Sequence, residues 1–350
     1  MKKPSKRSKR NATPPPGVNP HDHFARKTVG DPLIAADILR HYSDDPAIAK
    51  HVDLDHLTPE PTANFGKKFQ ELFKDIAFAS HLIDKKGKAE VLIIAEHKST
   101  PEPFVLLQLL AYLILTWYKR WNDAGRPQST KKFRLPLPIL VVLYNGRKDW
   151  EGELDLKNLV ASVPPELEPF IPTVRVLFIR LNRFDKRHLP GKPATRAVVE
   201  SMIRATDGTF VSGLKSVIGH FKGLSLDDRI NELIEDIFHY CNLVEAVTSD
   251  EVDVAITHII HGQEGIRMAQ AIKKGIWATG REHGLAEGRA IERVESRAGS
   301  IIRFLSSRFQ KVPKTVKDKV CSITDIDRLD ELTGQAAKCQ SLDDFAKSLE

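Results

Sequence analysis

A few residues of this chain have the type and spacing for phosphate chemistry. Glu96 and Lys98 stand two apart at the end of Val91-Leu92-Ile93-Ile94-Ala95, an unbroken apolar run of strand length. A period of two puts Glu96 and Lys98 on one face of such a strand and His97 on the other. Runs of this kind belong to strands covered on both faces. Three successive ionisable groups are then costly unless they reach water, a metal or a partner. Asp75 lies on the preceding β-type stretch, and Asp84-Lys85-Lys86-Gly87-Lys88 reads as a charged turn. An antiparallel pairing across that turn brings residues 75 and 96 opposite one another. Paired carboxylates repel unless a divalent cation lies between them. Mg2+ takes one or two carboxylates plus waters and phosphate oxygens, and Mn2+ or Ca2+ could substitute. A lysine beside such a site can orient or activate an attacking water and stabilise phosphate charge.

The short pattern alone leaves a metal site and a surface ladder of ion pairs both open. Asp84-x-Lys86 and Asp155-x-Lys157 match it too. Only Glu96-x-Lys98 ends a buried strand with another acid on the strand before. Gln108 and Tyr112 follow on the next helix, four apart and so on one face. In a run of Leu, Ala and Ile they want polar partners, which the site or the backbone could supply.

The elements that must position these residues follow from the pattern. Pro20-His21-Asp22-His23-Phe24 starts a helix, and a second begins near Pro32. Residues 45–64 read as loop with a short helical turn. A β-type pattern then runs to about Ile83, followed by the Val91–Ala95 strand. Pro101 and Pro103 open a helix over about 103–122. Its apolar run Phe104–Trp117 is too short to span a bilayer and suits a buried helix. Pro138–Tyr144 is a further buried strand closed by Asn145-Gly146, and Val174–Leu181 another. The order predicts an α/β class, a central mixed sheet flanked by helices. From about residue 191 the chain reads as all-helical.

Within that part Gly280, Gly284 and Gly288 recur every four residues, as in a helix seam or in a polar linker helix. Ile301, Ile302, Leu305 and Phe309 share one apolar face, and Thr324…Asp327 and Ser341…Asp344 resemble helix-capping starts. His258-x-x-His261 lacks the acid and further ligands of a zinc site. The divisions expected are a disordered basic arm over 1–20, a domain over 21–190, a helical region over 191–295 and a C-terminal helical unit over 296–350. The last is assigned to packing or assembly, with a homo-oligomer through the C-terminal helices as the expectation.

Composition sets the outer bounds. At 350 residues, 41 % hydrophobic and 28 % charged, the chain is an ordinary globular one, neither collagen-like nor wholly disordered. Three cysteines, Cys241, Cys321 and Cys339, make no disulfide framework or CxxC zinc site, which suits a reducing compartment. No signal-type apolar segment follows the basic start, and no membrane segment is visible, so a cytoplasmic location is expected. The formal charge of +7 is concentrated in two places. Residues 1–10 carry six basic residues and no acid, and residues 61–134 carry 13 basic against 7 acidic residues. The arm can serve as a nucleic-acid contact, a nuclear address or a solubilising tail.

Several segments together resemble a known family: Asn19-Pro-His-Asp-His-Phe24, Leu72-Phe-Lys-Asp75, Ile94-Ala-Glu-His-Lys-Ser-Thr-Pro101 and Pro136-Leu-Pro-Ile-Leu-Val-Val-Leu-Tyr-Asn-Gly146. They resemble the recombination-promoting nuclease/putative transposase (YhgA-like) family of the PD-(D/E)xK nuclease superfamily, over about residues 19–190. The resemblance implies a restriction-endonuclease-like core and Mg2+-dependent DNA strand cleavage in the bacterial cytoplasm, with nucleoid association when bound. Asp75 would match the first motif carboxylate, Glu96 the second and Lys98 the motif lysine. Gln108 and Tyr112 match the QxxxY motif of some RecB-like nucleases. Lys74 stands where the superfamily often has Pro, and Lys98 where many close relatives have Gln. Asp22 lies where related nucleases often place an auxiliary acid, although a helix-start cap is the better expectation.

The reading is therefore a DNA endonuclease with little sequence preference. Asp75 and Glu96 would hold metal, with Lys98, Gln108 and Tyr112 completing the catalytic set. Lys67, Lys68, Lys119, Arg120, Lys131, Lys132 and Arg134 would contact the DNA backbone. The alternative is a catalytically silent DNA-binding or assembly protein on the same fold.

Overall fold

The computed structural model describes residues 19–60, 76–83, 89–131, 133–309, 312–323, 325–339 and 341–349, without the side chains of 277, 279–295, 326, 327, 337 and 343. The expectations for Asp75, Lys67, Lys68, Lys132, the basic arm before residue 19 and the 84–88 turn lie outside the described residues. So do Thr324 and the side chains of Gly280, Gly284 and Gly288.

Three short helices open the described chain, and each starts at an Asx-Pro pair. In α1 (Pro20–Val29) the side chain of Asn19 accepts from His21 N. In α2 (Pro32–His41) Asp31 accepts from Leu33 N, and in α3 (Pro46–His51) Asp45 accepts from Ala47 N. Asx at the cap satisfies an orphan N–H, and proline at the first helical position has no N–H to lose. The cap of α1 is thus Asn19, which corrects the expectation that Asp22 plays that part.

The sheet has five strands in the order β1 (Thr58–Pro59), β2 (Ile76–His81), β3 (Glu90–Lys98), β4 (Leu137–Tyr144) and β5 (Val176–Arg180). β1, β2 and β3 pair antiparallel, whereas β3, β4 and β5 pair parallel. The mixed sheet expected from the sequence is present. The β2–β3 register runs from Ile76↔Ala95 to His81↔Glu90, the alignment predicted from the turn. The parallel step from β3 to β4 needs a crossover, and helix α4 (Val105–Asp123) supplies it.

Alternate residues of the central strands enter different layers. Leu92 and Ile94 of β3 join Leu140 and Val142 of β4 against Val105, Leu109 and Leu113 of α4. Val91 and Ile93 join Ile139, Val141 and Leu143 in the larger core on the other side, which also takes in α1 and α2. A short helix α5 (Leu156–Leu159) precedes β5. Helices α6 (Pro193–Asp207), α7 (Phe210–Gly219), α8 (Asp228–Val244) and α9 (Ser249–Ile259) extend that larger core. The apolar strands thus have cover on both faces, as their uninterrupted composition requires.

Contacts divide the described residues into two compact units, those among 19–276 and those among 277–349. Helix α10 (Gly262–Phe309) supplies Ile272 and Ile276 to the first core and Ile301 and Leu305 to the second. The second core also holds residues of α11 (Lys314–Cys321), α12 (Ile326–Lys338) and α13 (Leu342–Lys347). Ile301 and Leu305 are buried and Ile302 and Phe309 pack beside them, the apolar face expected there. Ser341 caps α13 by accepting from Asp344 N at 3.1 Å. Among the described residues no helix is long and apolar enough to cross a membrane.

Candidate active site at the end of strand β3

β3 carries its pairing with β4 through Glu96↔Val142, His97↔Leu143 and Lys98↔Tyr144. The three ionisable residues are therefore held in regular strand, and their side chains alternate as period two demands. Lys98 Nζ lies 3.0 Å from Glu96 Oε1, with 17 % of each side chain exposed. The same ammonium donates to Gln108 Oε1 at 3.1 Å, so the first turns of α4 meet the end of β3 through one lysine. Tyr112 lies one turn further along and is buried. The structure thus brings Glu96, Lys98 and Gln108 into direct contact, with Tyr112 on the adjoining turn.

The opposite face of the same strand end carries a buried network that the sequence did not single out. His97 Nδ1 lies 3.1 Å from Asp22 Oδ1, and its Nε2 lies 2.9 Å from Asn145 Oδ1. The Nδ2 of Asn145 donates to Met202 O at 2.8 Å, which leaves Oδ1 to accept from His97. Both histidine contacts are donating ones only when the ring carries both protons. The backbone of Asn145 is engaged as well. Its N–H donates to Lys98 O at 3.2 Å, and its carbonyl accepts from Thr206 Oγ1 at 2.8 Å. Asn145, with no exposed surface, ties β3, β4 and α6 together. A side chain on Gly146, the next residue, would strike Tyr144 and the Ser99 carbonyl.

Asp22 reaches the strand end from α1. Its burial raises the pKa, but the His97 hydrogen bond and the charges of His97, Lys98 and Arg26 outweigh that and hold it below the usual carboxylate range. On the same helix, burial first and then the charge of His97 push His21 below the ordinary imidazole value. His21 Nδ1 lies 2.7 Å from Tyr240 Oη. The sequence cue for this network is present but weak: His97 faces away from Glu96 and Lys98, and Asn145 ends the neighbouring parallel strand at the same level.

The basic residues proposed for backbone contact divide in two. Arg120 is ion-paired with Glu60 at 2.8 Å and with Glu90, and Lys119 lies 2.5 Å from Asp123. Lys131 and Arg134 are exposed. Arg120 therefore spends its charge inside the fold, bracing α4 against the sheet.

Glu96 is a hard, partly accessible oxygen donor of the class Mg2+ takes. One carboxylate does not fix an ion, and among the described residues no group of three or more His, Cys, Asp or Glu is arranged to hold a metal. The fit of a metal at this position turns on Asp75, the residue before β2. His258 and His261 belong to no such group either.

A family model described as putative transposase, YhgA-like, matches residues 19–228. The match takes in all five strands, α1, α4 and the residues Asp22, Glu96, His97, Lys98, Gln108, Tyr112 and Asn145. No solved structure matches the chain.

Proposed function

Because the chain belongs to the YhgA-like putative transposase family, we propose that the end of β3 is a metal-dependent phosphodiesterase site acting on DNA. The observation that carries this reading is the contact of Lys98 with both Glu96 and Gln108 on a strand otherwise buried on both faces. A buried strand that ends in a partly exposed acid–lysine pair is expensive to build for packing alone. Asp75 and Glu96 are the residues that would hold the metal. A bound Mg2+ would supply Lewis-acid polarisation of the phosphate and a lowered pKa for its water.

The chain's own side chains do the positioning. Glu96 and Gln108 aim the Lys98 ammonium, which then orients an attacking water and balances the charge that grows on the phosphate oxygens. Lys131 and Arg134, exposed as they are, suit contacts to DNA phosphates, which give salt-dependent affinity with little sequence preference. The basic stretch 61–134 supports the same partner. The C-terminal helices are proposed as an assembly unit.

The deciding experiment is cleavage of plasmid DNA by the purified chain in Mg2+, Mn2+ and Ca2+, beside Asp75→Ala and Lys98→Ala. Metal-dependent nicking or cutting that both substitutions abolish is the expected result. Cleavage that persists in Asp75→Ala would refute the assignment. DNA binding without cleavage in any of the three metals would identify a catalytically silent DNA-binding protein instead.

A further inference from the structure

The helix that follows the site strand breaks the sequence expectation in an informative way. Residues 103–118 contain neither acid nor base, a composition that predicts burial all round. The helix is buried on one face only. Val105, Leu109, Tyr112 and Leu113 pack on the sheet. On the outer face Phe104, Leu107, Ile114 and Tyr118 are 55 %, 53 %, 56 % and 52 % exposed, and Ala111 between them is exposed too. Helices that cover one side of a sheet normally turn charges outward. Contiguous exposed apolar patches beyond a few hundred Å² mark interaction surfaces, and this stripe runs from Phe104 to Tyr118 along the helix.

The spacing of the stripe identifies its occupant. Positions 104, 107, 111, 114 and 118 advance by three, four, three and four, the seam of a two-helix coiled coil. They fall almost symmetrically about Ala111, two of them seven residues to either side and the other two four before and three after. In an antiparallel pair related by a two-fold axis through Ala111, Phe104 meets Tyr118 and Leu107 comes within one residue of Ile114. Ala111 meets its own copy, and the smallest side chain stands where two helices must approach most closely. Charge is confined to the two ends of the stripe, with Glu102 before it and the exposed Lys119 after it. An antiparallel pair sets Glu102 of one copy beside Lys119 of the other, whereas a parallel pair sets like charges together. Lys119 also pairs with Asp123 of its own helix, an exposed contact worth little and easily exchanged.

We propose that the outer face of α4 is the seam of an antiparallel, two-fold dimer of this chain. Half-exposed aromatic side chains of roughly 150–250 Å² each, together with Leu107, Ala111 and Ile114, fall short of the ~800 Å² per partner of a standard interface. The dimer is therefore weak and concentration-dependent. The inference is independent of the cleavage reading. If both hold, the two sites are related by the same axis, since Gln108 and Tyr112 sit on this helix.

Light scattering on the full chain across a concentration series tests the proposal. Wild-type protein should pass from monomer to dimer, and the double variant Leu107→Glu/Ile114→Glu should raise the dissociation constant at least tenfold with an unchanged far-UV spectrum. Ala111→Cys, in a Cys321→Ser background that removes the one exposed native thiol, should oxidise to a disulfide-linked dimer. Val254→Cys, at an exposed position of α9, should not. A wild-type chain that stays monomeric throughout overturns the proposal. So does a dimer that survives the double substitution, which would place the seam elsewhere, for instance in the C-terminal helices. Equal cross-linking at positions 111 and 254 would reduce the contact to chance collision and overturn it too.

Discussion

On one side of the β3 terminus, His97 has each ring nitrogen against an oxygen, and Asn145 uses both its amide atoms and its whole peptide group. On the other side, Lys98 touches Glu96 and Gln108, and part of both charged side chains remains open to solvent. One strand end thus carries a satisfied network and an accessible one, a single residue apart. A closed polar network stabilises and specifies the fold, because each lost partner leaves a buried group unpaired. An acid–lysine pair that keeps 17 % of each side chain exposed has capacity for a ligand. The first should answer to mutation in stability and the second in activity.

The largest expected effect is on the open side. Lys98→Ala removes the ammonium held between Glu96 and Gln108, and loss of about 10²–10³-fold in plasmid cleavage is expected, the scale of one electrostatic stabiliser. Its unfolding free energy should fall by about 1–2 kcal/mol, because Glu96 and Gln108 lose a partner in a setting only 17 % exposed. A stability loss as large as the activity loss would erase the distinction between the two sides.

The next effect belongs to the closed side. Asn145→Ala leaves His97 Nε2 without its acceptor in a buried setting, at about 1–3 kcal/mol, whereas the Met202 carbonyl keeps Thr206 Oγ1 as a donor at 3.4 Å. Urea unfolding should therefore show a loss of about 2–3 kcal/mol. A variant within about 1 kcal/mol of wild type would mean that water replaces the amide and that the network is not closed.

How much of this is legible in the sequence depends on the range of each interaction. The alternation of Glu96, His97 and Lys98 and the antiparallel register follow from period two and from a turn position, both local, and both are observed among the described residues. The pairing of Lys98 with Gln108 is legible for the same reason, since one short connection separates strand from helix. The place of Asp22 is not legible, because its partner His97 lies 75 residues away, while a cap beside a proline is the commoner local pattern. The outer face of α4 escapes the sequence for a different reason. Periodicity reports which residues share a face, but a helix apolar all round gives no sign of which face the sheet will take.

A third test concerns how α1, which brings Asp22 to His97, is itself held. Lys27 of α1 lies 2.5 Å from Asp236 of α8. Burial pushes the Asp236 carboxyl up to about 6, against the opposing effect of Lys27. A carboxyl raised in the folded state binds its proton more tightly there than in the unfolded chain. The stability it contributes is therefore present below the unfolded value near 3.8 and is lost as pH rises through about 6. Thermal unfolding should show that decline, amounting to about 2–3 kcal/mol, since each tenfold change in proton affinity is worth about 1.4 kcal/mol. Asp236→Asn should flatten it. A pH profile unchanged by the substitution would mean that Lys27 fully compensates the buried charge.

The smallest effect separates the two sides most finely, because Asp22 influences both. Its carboxyl is held below the usual range, so its contribution has the opposite sign to that of Asp236: present above the unfolded value and lost as pH falls through the lower folded one. With 39 % of its side chain exposed, solvent screening limits Asp22→Asn to a loss of at most about 1 kcal/mol at neutral pH, together with a shallower acid limb. An asparagine can still accept from His97, so the strand end keeps its shape. If Asp22 only braces His97, cleavage by Asp22→Asn should stay within about threefold of wild type, well under the roughly 10²-fold expected of a direct stabiliser. A loss approaching that of Lys98→Ala, with stability nearly unchanged, would move Asp22 from the closed network to the site. The charge of Lys98 already reaches Asp22 strongly enough to help lower its pKa, which makes this the substitution where the division between the two faces is most exposed to refutation.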